Sequence, residues 1–427
     1  MKTVIMAGGK GTRIAAIASD IPKPMISLCG KPILEYQIDC LKRYGLTDIT
    51  MVVGHLGHII RDHFGDGGKF GCSIDYYTET SPLGTAGALF EIESSLSDDF
   101  ILVNGDIVFD IDFNRIIDFH QKNRAMATLA AHPNSHPYDS ALLLTGDSDR
   151  VIRWLNKEDP RQYYKNLGNS GIHILTKKLL AKSTLKTGKV DLDRDILKPL
   201  VSSKEIYAYK TPEYIKDLGT PERYKQVSSD IESGLVKARN LSLPQRAVFL
   251  DRDGTINKIN GFINKPEQFE LIEGAAEAIR GINESGFLAI VITNQPVIAR
   301  GEASPEDLAL IHDKMETDLG KQGAFLDDIF FCPHHPDRGF PGERPEYKID
   351  CDCRKPKPGM LLEAAKKYNI NLSKSYMVGD DGRDVRAGLA AKCIPIYISE
   401  KEYGDKVLHF PDIASFQKYL EHHEHNH

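Results

Sequence analysis

The sequence predicts an α/β protein of two doubly wound domains. Short apolar runs alternate with helical patterns along the whole chain, the mark of mainly parallel sheets covered by helices. The pattern begins twice: Thr3-Val-Ile-Met6 runs into a glycine turn, and Arg246-Ala-Val-Phe-Leu250 runs into Asp251-Arg-Asp-Gly-Thr255. The length, 427 residues with 41% apolar and 27% charged, suits domains of ~100–200 residues each.

In the first half, residues 32–41 read as a helix, and 49–53 and 100–103 as strands. In the second half, a helix over 274–285 precedes a strand over 287–292. A long polar helix over 304–320 and strands over 376–378 and 394–398 follow. Residues 227–245 are polar and helix-prone, and Leu243-Pro244 is a stop signal. This places a first domain at 1–228, a linker at 229–244, a second domain at 245–421 and a tail at 422–427. The histidine-rich tail reads as a frayed end rather than a metal site.

The net charge is −6 with both signs interspersed, which argues against binding nucleic acid or an anionic membrane through bulk charge. No apolar run approaches the ~20 residues of a membrane span. The opening residues turn into glycines where a signal peptide would carry its apolar core. A cytoplasmic protein acting on small molecules is expected, with a homo-oligomer left open.

The first apolar strand ends in Gly8-Gly9-Lys10-Gly11-Thr12-Arg13. Glycines there let backbone N–H groups converge on phosphate oxygens, and Arg13 adds a planar cation suited to a polyphosphate. In Ile21-Pro22-Lys23-Pro24-Met25, two prolines stiffen the chain around one lysine. A second small-residue turn, Pro82-Leu-Gly84-Thr85-Ala86-Gly87, precedes a helix. Asp106 follows a buried strand, where open α/β sheets place ligand-binding groups. Asp217 is a second candidate carboxylate, and two aspartates can share a Mg²⁺ between phosphates.

These motifs, with Asn169-Ser-Gly171 and Asp217-Leu-Gly-Thr-Pro-Glu-Arg-Tyr224, stand in order over residues 1–224. They resemble the sugar-1-phosphate nucleotidylyltransferases, and among them the mannose- and heptose-1-phosphate guanylyltransferases. The resemblance implies a Rossmann-like nucleotidyltransferase fold and attack of a sugar 1-phosphate on the α-phosphorus of an NTP. It assigns Gly8, Gly9, Gly11, Thr12 and Arg13 to the triphosphate, with Gly84 and Thr85 also at the substrate. Lys23 would neutralise charge at the reacting phosphates, Asp106 and Asp217 would bind Mg²⁺, and Lys157 and Asn169 would face the sugar phosphate and sugar. Glu79 stands where relatives using uridine or thymidine nucleotides carry glutamine. A carboxylate only accepts hydrogen bonds, and guanine presents adjacent N1–H and N2–H donors, so GTP is expected. Ile14-Ala-Ala-Ile17 replaces the usual leucine and proline, which suits the heptose branch.

In the second half, Asp251 can attack phosphorus to form an aspartyl-phosphate. Asp253, two residues on, can protonate the leaving oxygen and then activate water. Both carboxylates, with Asp380 of Gly379-Asp380-Asp381, are candidate Mg²⁺ ligands. Thr293 and Asn294, ending the strand over 287–292, can donate to phosphate oxygens, and Lys355 can neutralise them. Cys332-Pro-His334 and Cys351-Asp-Cys353 supply three thiolates and one imidazole for a closed, structural Zn²⁺ site. That site would clamp a loop over 335–350 that is rich in proline and glycine.

Residues 246–398 resemble the haloacid dehalogenase (HAD) phosphatases, closest to the heptose bisphosphate and histidinol-phosphate branch, which implies a HAD-like fold. By that resemblance Ile259, Asn260, Gly261 and Phe262 line the substrate entrance, while Gln295 and Arg354 contact substrate. Pro296-Val297 replaces the serine and glycine usual after Gln295, and Pro296 lacks an N–H for phosphate. Joined in one chain, the two resemblances imply that the phosphatase makes the heptose 1-phosphate consumed by the guanylyltransferase. The alternative is a mannose-1-phosphate guanylyltransferase joined to a histidinol-phosphate or other sugar-phosphate phosphatase.

Overall fold

The computed structural model describes residues 1–9, 20–339, 341–404 and 407–424. Gly11, Thr12 and Arg13 therefore lie outside the described residues. The chain divides into two compact units that part at Asn240–Leu241, and the second also takes in Pro133–Leu142 and Asn156–Gly168. The helices Pro221–Glu232 and Leu235–Ala238 belong to the first unit. Val227 and Val236 are buried there against Ile26, Leu28, Val108 and Leu218.

The first unit is built on a nine-stranded sheet among the described residues. Its central strand, Lys2–Met6, lies parallel to Asp48–Val53 on one side and Asp99–Asn104 on the other. Ser73–Thr78 extends the sheet in parallel, whereas Gly168–Thr176 pairs antiparallel with Asp99–Asn104. Val4 and Ile5 of the central strand are fully buried, as a strand covered on both faces must be. The helix Ile33–Arg43 packs Leu34, Ile38 and Leu41 into this core.

Among the described residues, the second unit carries a six-stranded sheet in the order Asp328–Cys332, Leu288–Asn294, Ala247–Leu250, Tyr376–Gly379, Ile394–Ile398 and Leu408–Phe410. All are parallel. Residues 287–292 are apolar without interruption because both faces are covered. The helices Ala275–Glu284 and Ile413–Glu424 cover one face; Gly359–Tyr368 and Gly382–Ala390 cover the other. The long helix Pro305–Gly320 starts at a capping box, with Ser304 Oγ accepting from the Asp307 N–H and the Asp307 carboxylate accepting from the Ser304 N–H. The carboxyl ends of Ala247–Leu250, Leu288–Asn294 and Tyr376–Gly379 deliver Asp251, Asn294 and Asp380 to one end of the sheet, where ligands bind in this architecture. No helix of the described residues is long and apolar enough to cross a membrane.

Candidate active sites

In the first unit, Gly8 follows the central strand and touches Glu79. A methyl group on Gly8 would lie 2.4 Å from Glu79 Oε2. Glu79 is tied to the sheet by its own N–H, which donates to Val53 O at 2.8 Å, and its Oε1 accepts from the Leu83 N–H at 3.2 Å. Burial raises its pKa, and the Leu83 N–H offsets part of that rise. The carboxylate thus stands beside the start of the glycine turn, a place no single motif announces.

Lys23 forms an ion pair with Asp106 at 2.6 Å. The turn carrying Asp106 is held from behind by Gln37, fully buried, whose amide donates to Asn104 O at 2.9 Å and Ile107 O at 2.7 Å. Asp217 ends a strand paired antiparallel with Ile107–Asp110, and the Leu218 N–H donates to Asp106 O at 3.3 Å. Asp106 and Asp217 are therefore brought together from residues more than a hundred positions apart. Burial acts to raise the Asp217 pKa, but Arg223 at 2.5 Å, the Gly219 N–H and Lys23 together bring it below the usual range.

The other expected substrate contacts are placed differently. Gly84 has φ +82°, and a Cβ there would strike Val190 O at 2.3 Å. Thr85 Oγ accepts from the Leu192 N–H and donates to Asp191. This turn secures residues 190–192. Asn169 donates to Asp193 at 3.3 Å and accepts from Gly171 N–H and His173. Burial and Asp191 push Asp193 up to about 6, with Asn169 pulling it partly back; the sequence reading did not single Asp193 out. Lys157 belongs to the second unit, with its side chain 63% exposed and Glu158 at 3.8 Å.

In the second unit, Lys355 is buried and bridges two carboxylates, Asp251 at 2.8 Å and Asp384 at 2.6 Å, while donating to Ile292 O. Asp251, Asp380 and Asp384 offer oxygens that all lie within 4.8 Å of one another. Burial raises the Asp251 pKa and Asp384 adds to the rise, with Lys355 opposing it. One lysine leaves this trio of carboxylates net negative. Three hard oxygen donors short of positive charge fit a Mg²⁺ ion. Gly254, at φ +86°, is required here because a Cβ would sit 2.1 Å from Asp380 Oδ2.

Asp253 stands outside this trio. Its carboxylate takes Arg252, Asn257 and Gln295 as donors, and Asp384 fills the third place. Asp384, 1% exposed, was missed because the sequence shows it only as one more polar residue on the helix after Asp380-Asp381. Thr293 is buried at the strand end. Asn294 is turned to the backbone of Lys355, accepting from its N–H and donating to its carbonyl, both at 3.0 Å. It therefore places the lysine. Ile259 and Phe262, 65% and 50% exposed, rim a cleft of about 240 Å³ that reaches Gly261, Thr293, Arg354 and the aspartates. Asn260 makes a long contact to Gln268 O at 3.5 Å.

Cys332, His334, Cys351 and Cys353 converge, with Sγ–Sγ distances of 3.2–3.5 Å and His334 Nδ1 3.4 Å from Cys353 Sγ. A tetrahedron with metal–sulfur bonds of about 2.3 Å has edges of roughly 3.8 Å, so small outward shifts would seat Zn²⁺. The donor set fits that ion. The cluster is linked directly to the cleft: Cys332 O accepts from the Gln295 N–H at 2.8 Å, and Arg354 donates to His334 O at 3.0 Å. Val297 and Ile298 are buried with Ala303, Leu308 and Tyr347. Pro296-Val297 thus leads into a small core that packs against Tyr347.

The family described as nucleotidyl transferase matches residues 2–234, and that described as HAD-hydrolase-like matches residues 352–412. The chain is 45% identical over 145 residues to the D-glycero-beta-D-manno-heptose-1,7-bisphosphate 7-phosphatase of Yersinia pestis, covering 34% of this chain and 75% of that protein. The protein of the same name from Escherichia coli K12 is 43% identical over 145 residues, with 34% and 74% covered. Among solved structures, D,D-heptose 1.7-bisphosphate phosphatase from B. bronchiseptica, complexed with magnesium and phosphate, is 30% identical. It aligns over 42% of this chain and 99% of its own with a TM-score of 0.37. HddC from Yersinia pseudotuberculosis, complexed with GMP-PN, is 26% identical over 54% of this chain and 99% of its own, with a TM-score of 0.46.

Proposed function

Given that the chain belongs to the nucleotidyl transferase family in its first half and to the HAD-like heptose bisphosphate phosphatases in its second, we propose that it builds a nucleotide-activated heptose in two consecutive steps. The second unit hydrolyses D-glycero-D-manno-heptose 1,7-bisphosphate to the 1-phosphate. The first transfers GMP from GTP to that product and releases pyrophosphate. The observation that carries the reading is the Asp251 centre, where a carboxylate, a buried lysine and two further aspartates meet at the end of a parallel sheet. The sugar is supported by the names of the relatives.

In the phosphatase reaction, an Asp251 oxygen attacks the 7-phosphorus and the bond from phosphorus to the C7 oxygen breaks. Asp253 passes a proton to that oxygen, then takes one from the water that cleaves the aspartyl-phosphate. Lys355 and the Thr293 hydroxyl hold the phosphoryl oxygens. Asp251, Asp380 and Asp384 would hold Mg²⁺, which when bound shields the carboxylates from the phosphoryl charge. In the transferase reaction, a 1-phosphate oxygen attacks the α-phosphorus of GTP and the bond to the β-phosphate oxygen breaks. Catalysis there is positioning plus charge neutralisation, by Lys23 together with Arg13 and the glycine loop. Asp106 and Asp217 would hold the second Mg²⁺, and Asn169 would meet the sugar.

The test is a coupled assay. Purified protein given heptose 1,7-bisphosphate of each anomer, GTP and Mg²⁺ should release one phosphate and one pyrophosphate per GDP-heptose. Preference for histidinol phosphate or for mannose 1-phosphate would overturn the sugar assignment. Glu79 supports the base: Glu79→Gln should lower the preference for GTP over UTP by about 10-fold, because a guanine N–H then faces an amide that can present its own donors. Competition between the two nucleotides measures it. Zinc is read as structural, since all four tetrahedral positions are filled. Cys351→Ser should leave the protein with less than one zinc per chain by metal analysis. It should also raise KM for the bisphosphate by about 10-fold with a smaller fall in kcat, because Gln295 and Arg354 lose their anchor.

A further inference from the structure

Arg252 lies between the two aspartates of the phosphatase turn and is completely buried. Its Nε and Nη2 donate to Asp253 Oδ1 at 3.1 and 2.9 Å, and Nη2 also reaches Asp253 Oδ2 at 2.9 Å. Nη2 further donates to Gln295 Oε1 at 2.9 Å. Its Nη1 is buried, with no protein partner among the described residues. Among the described residues, every side-chain hydrogen bond of this guanidinium thus goes to Asp253 or Gln295. Burying a guanidinium is costly unless its donors are used.

The amide of Gln295 extends the chain. An arginine nitrogen can only donate, so the Gln295 atom facing it is fixed as the oxygen. The amide NH₂ must then point the other way, and it donates to Asp253 Oδ2 at 2.9 Å and Thr293 Oγ at 2.8 Å. With its oxygen already accepting, the Thr293 hydroxyl has its hydrogen left to give to a phosphoryl oxygen. Were the amide reversed, Thr293 would donate to the glutamine oxygen instead.

We propose that Arg252 is a positioning residue of the phosphatase: through Gln295 it aims the Thr293 hydroxyl at the phosphoryl group, and it fixes the Asp253 carboxylate directly. The inference rests on the phosphatase reading, and wild-type phosphate release from the bisphosphate tests that reading separately. Arg252→Met, Arg252→Lys and Gln295→Leu would be compared by kcat, KM and inhibition by inorganic phosphate. Thermal unfolding and pyrophosphate release from the first unit control for folding. Arg252→Met should lower kcat by ~100-fold, as for a misplaced proton-transfer group. Both Arg252→Met and Gln295→Leu should weaken phosphate inhibition by ~10-fold, as for one lost hydrogen bond to an anion. Arg252→Lys keeps one donor on the buried charge and should recover about 10-fold of the lost kcat. Folded Arg252→Met with wild-type kcat and phosphate inhibition would overturn the proposal. If that variant does not fold, unchanged phosphate inhibition in Gln295→Leu would overturn it just as directly.

Discussion

Replacing Asp251 by asparagine should abolish phosphate release, by about 10⁴-fold or more, while GDP-sugar formation from supplied heptose 1-phosphate continues at the wild-type rate. The size follows from the role: an amide oxygen neither attacks phosphorus effectively nor leaves it as a good leaving group in the second step. The fold should tolerate the change, because Asn keeps the side-chain volume and its oxygen can still accept from Lys355 and from the Arg252 N–H at 2.7 Å. Mutant protein assayed for free phosphate and for pyrophosphate in parallel gives the answer. Loss of both activities would mean that the two centres are not chemically independent, and retention of phosphate release would remove Asp251 as nucleophile.

The second large effect is expected at Lys23. Lys23→Met should depress pyrophosphate release by ~10²–10³-fold, the usual range for removing one group that meets developing charge in a protected site. Phosphate release by the second unit should not change. The substitution also leaves Asp106 without the ammonium it pairs with at 2.6 Å. Lys23→Arg, which keeps the charge but changes its shape, should therefore restore only part of the rate. Pyrophosphate release within threefold of wild type in Lys23→Met would remove the residue from the chemistry.

The motifs that could be read directly are those whose partners are near in sequence. Asp251 and Asp253 share one turn, Cys351 and Cys353 are two apart, and Lys23 is stiffened by its own neighbours, so local spacing carries their meaning. Asp384, Arg252 and Gln37 could not be read that way. Each is a polar residue in an ordinary setting until the fold brings Lys355, Gln295 or the Asn104–Ile107 turn against it. Asn294 shows the opposite case. Its place at a strand end suggested a phosphate contact, but its amide is spent on the backbone of Lys355, 61 residues away. Pro296-Val297 looked like a loss of phosphate-binding backbone, and burial explains Val297 as part of a core that packs against Tyr347.

Sequence alone determined that this protein is α/β, that it handles phosphorus chemistry in both halves, and that four cysteine and histidine donors sit at ligand spacing. These properties are local: period, turn chemistry and donor type are written within a few residues. Only the tertiary structure decided which carboxylates gather around Lys355, which one Arg252 holds apart from them, and that Glu79 stands beside Gly8. Those outcomes depend on charge balance and burial among side chains from separate parts of the chain, and neither quantity exists until the chain has folded.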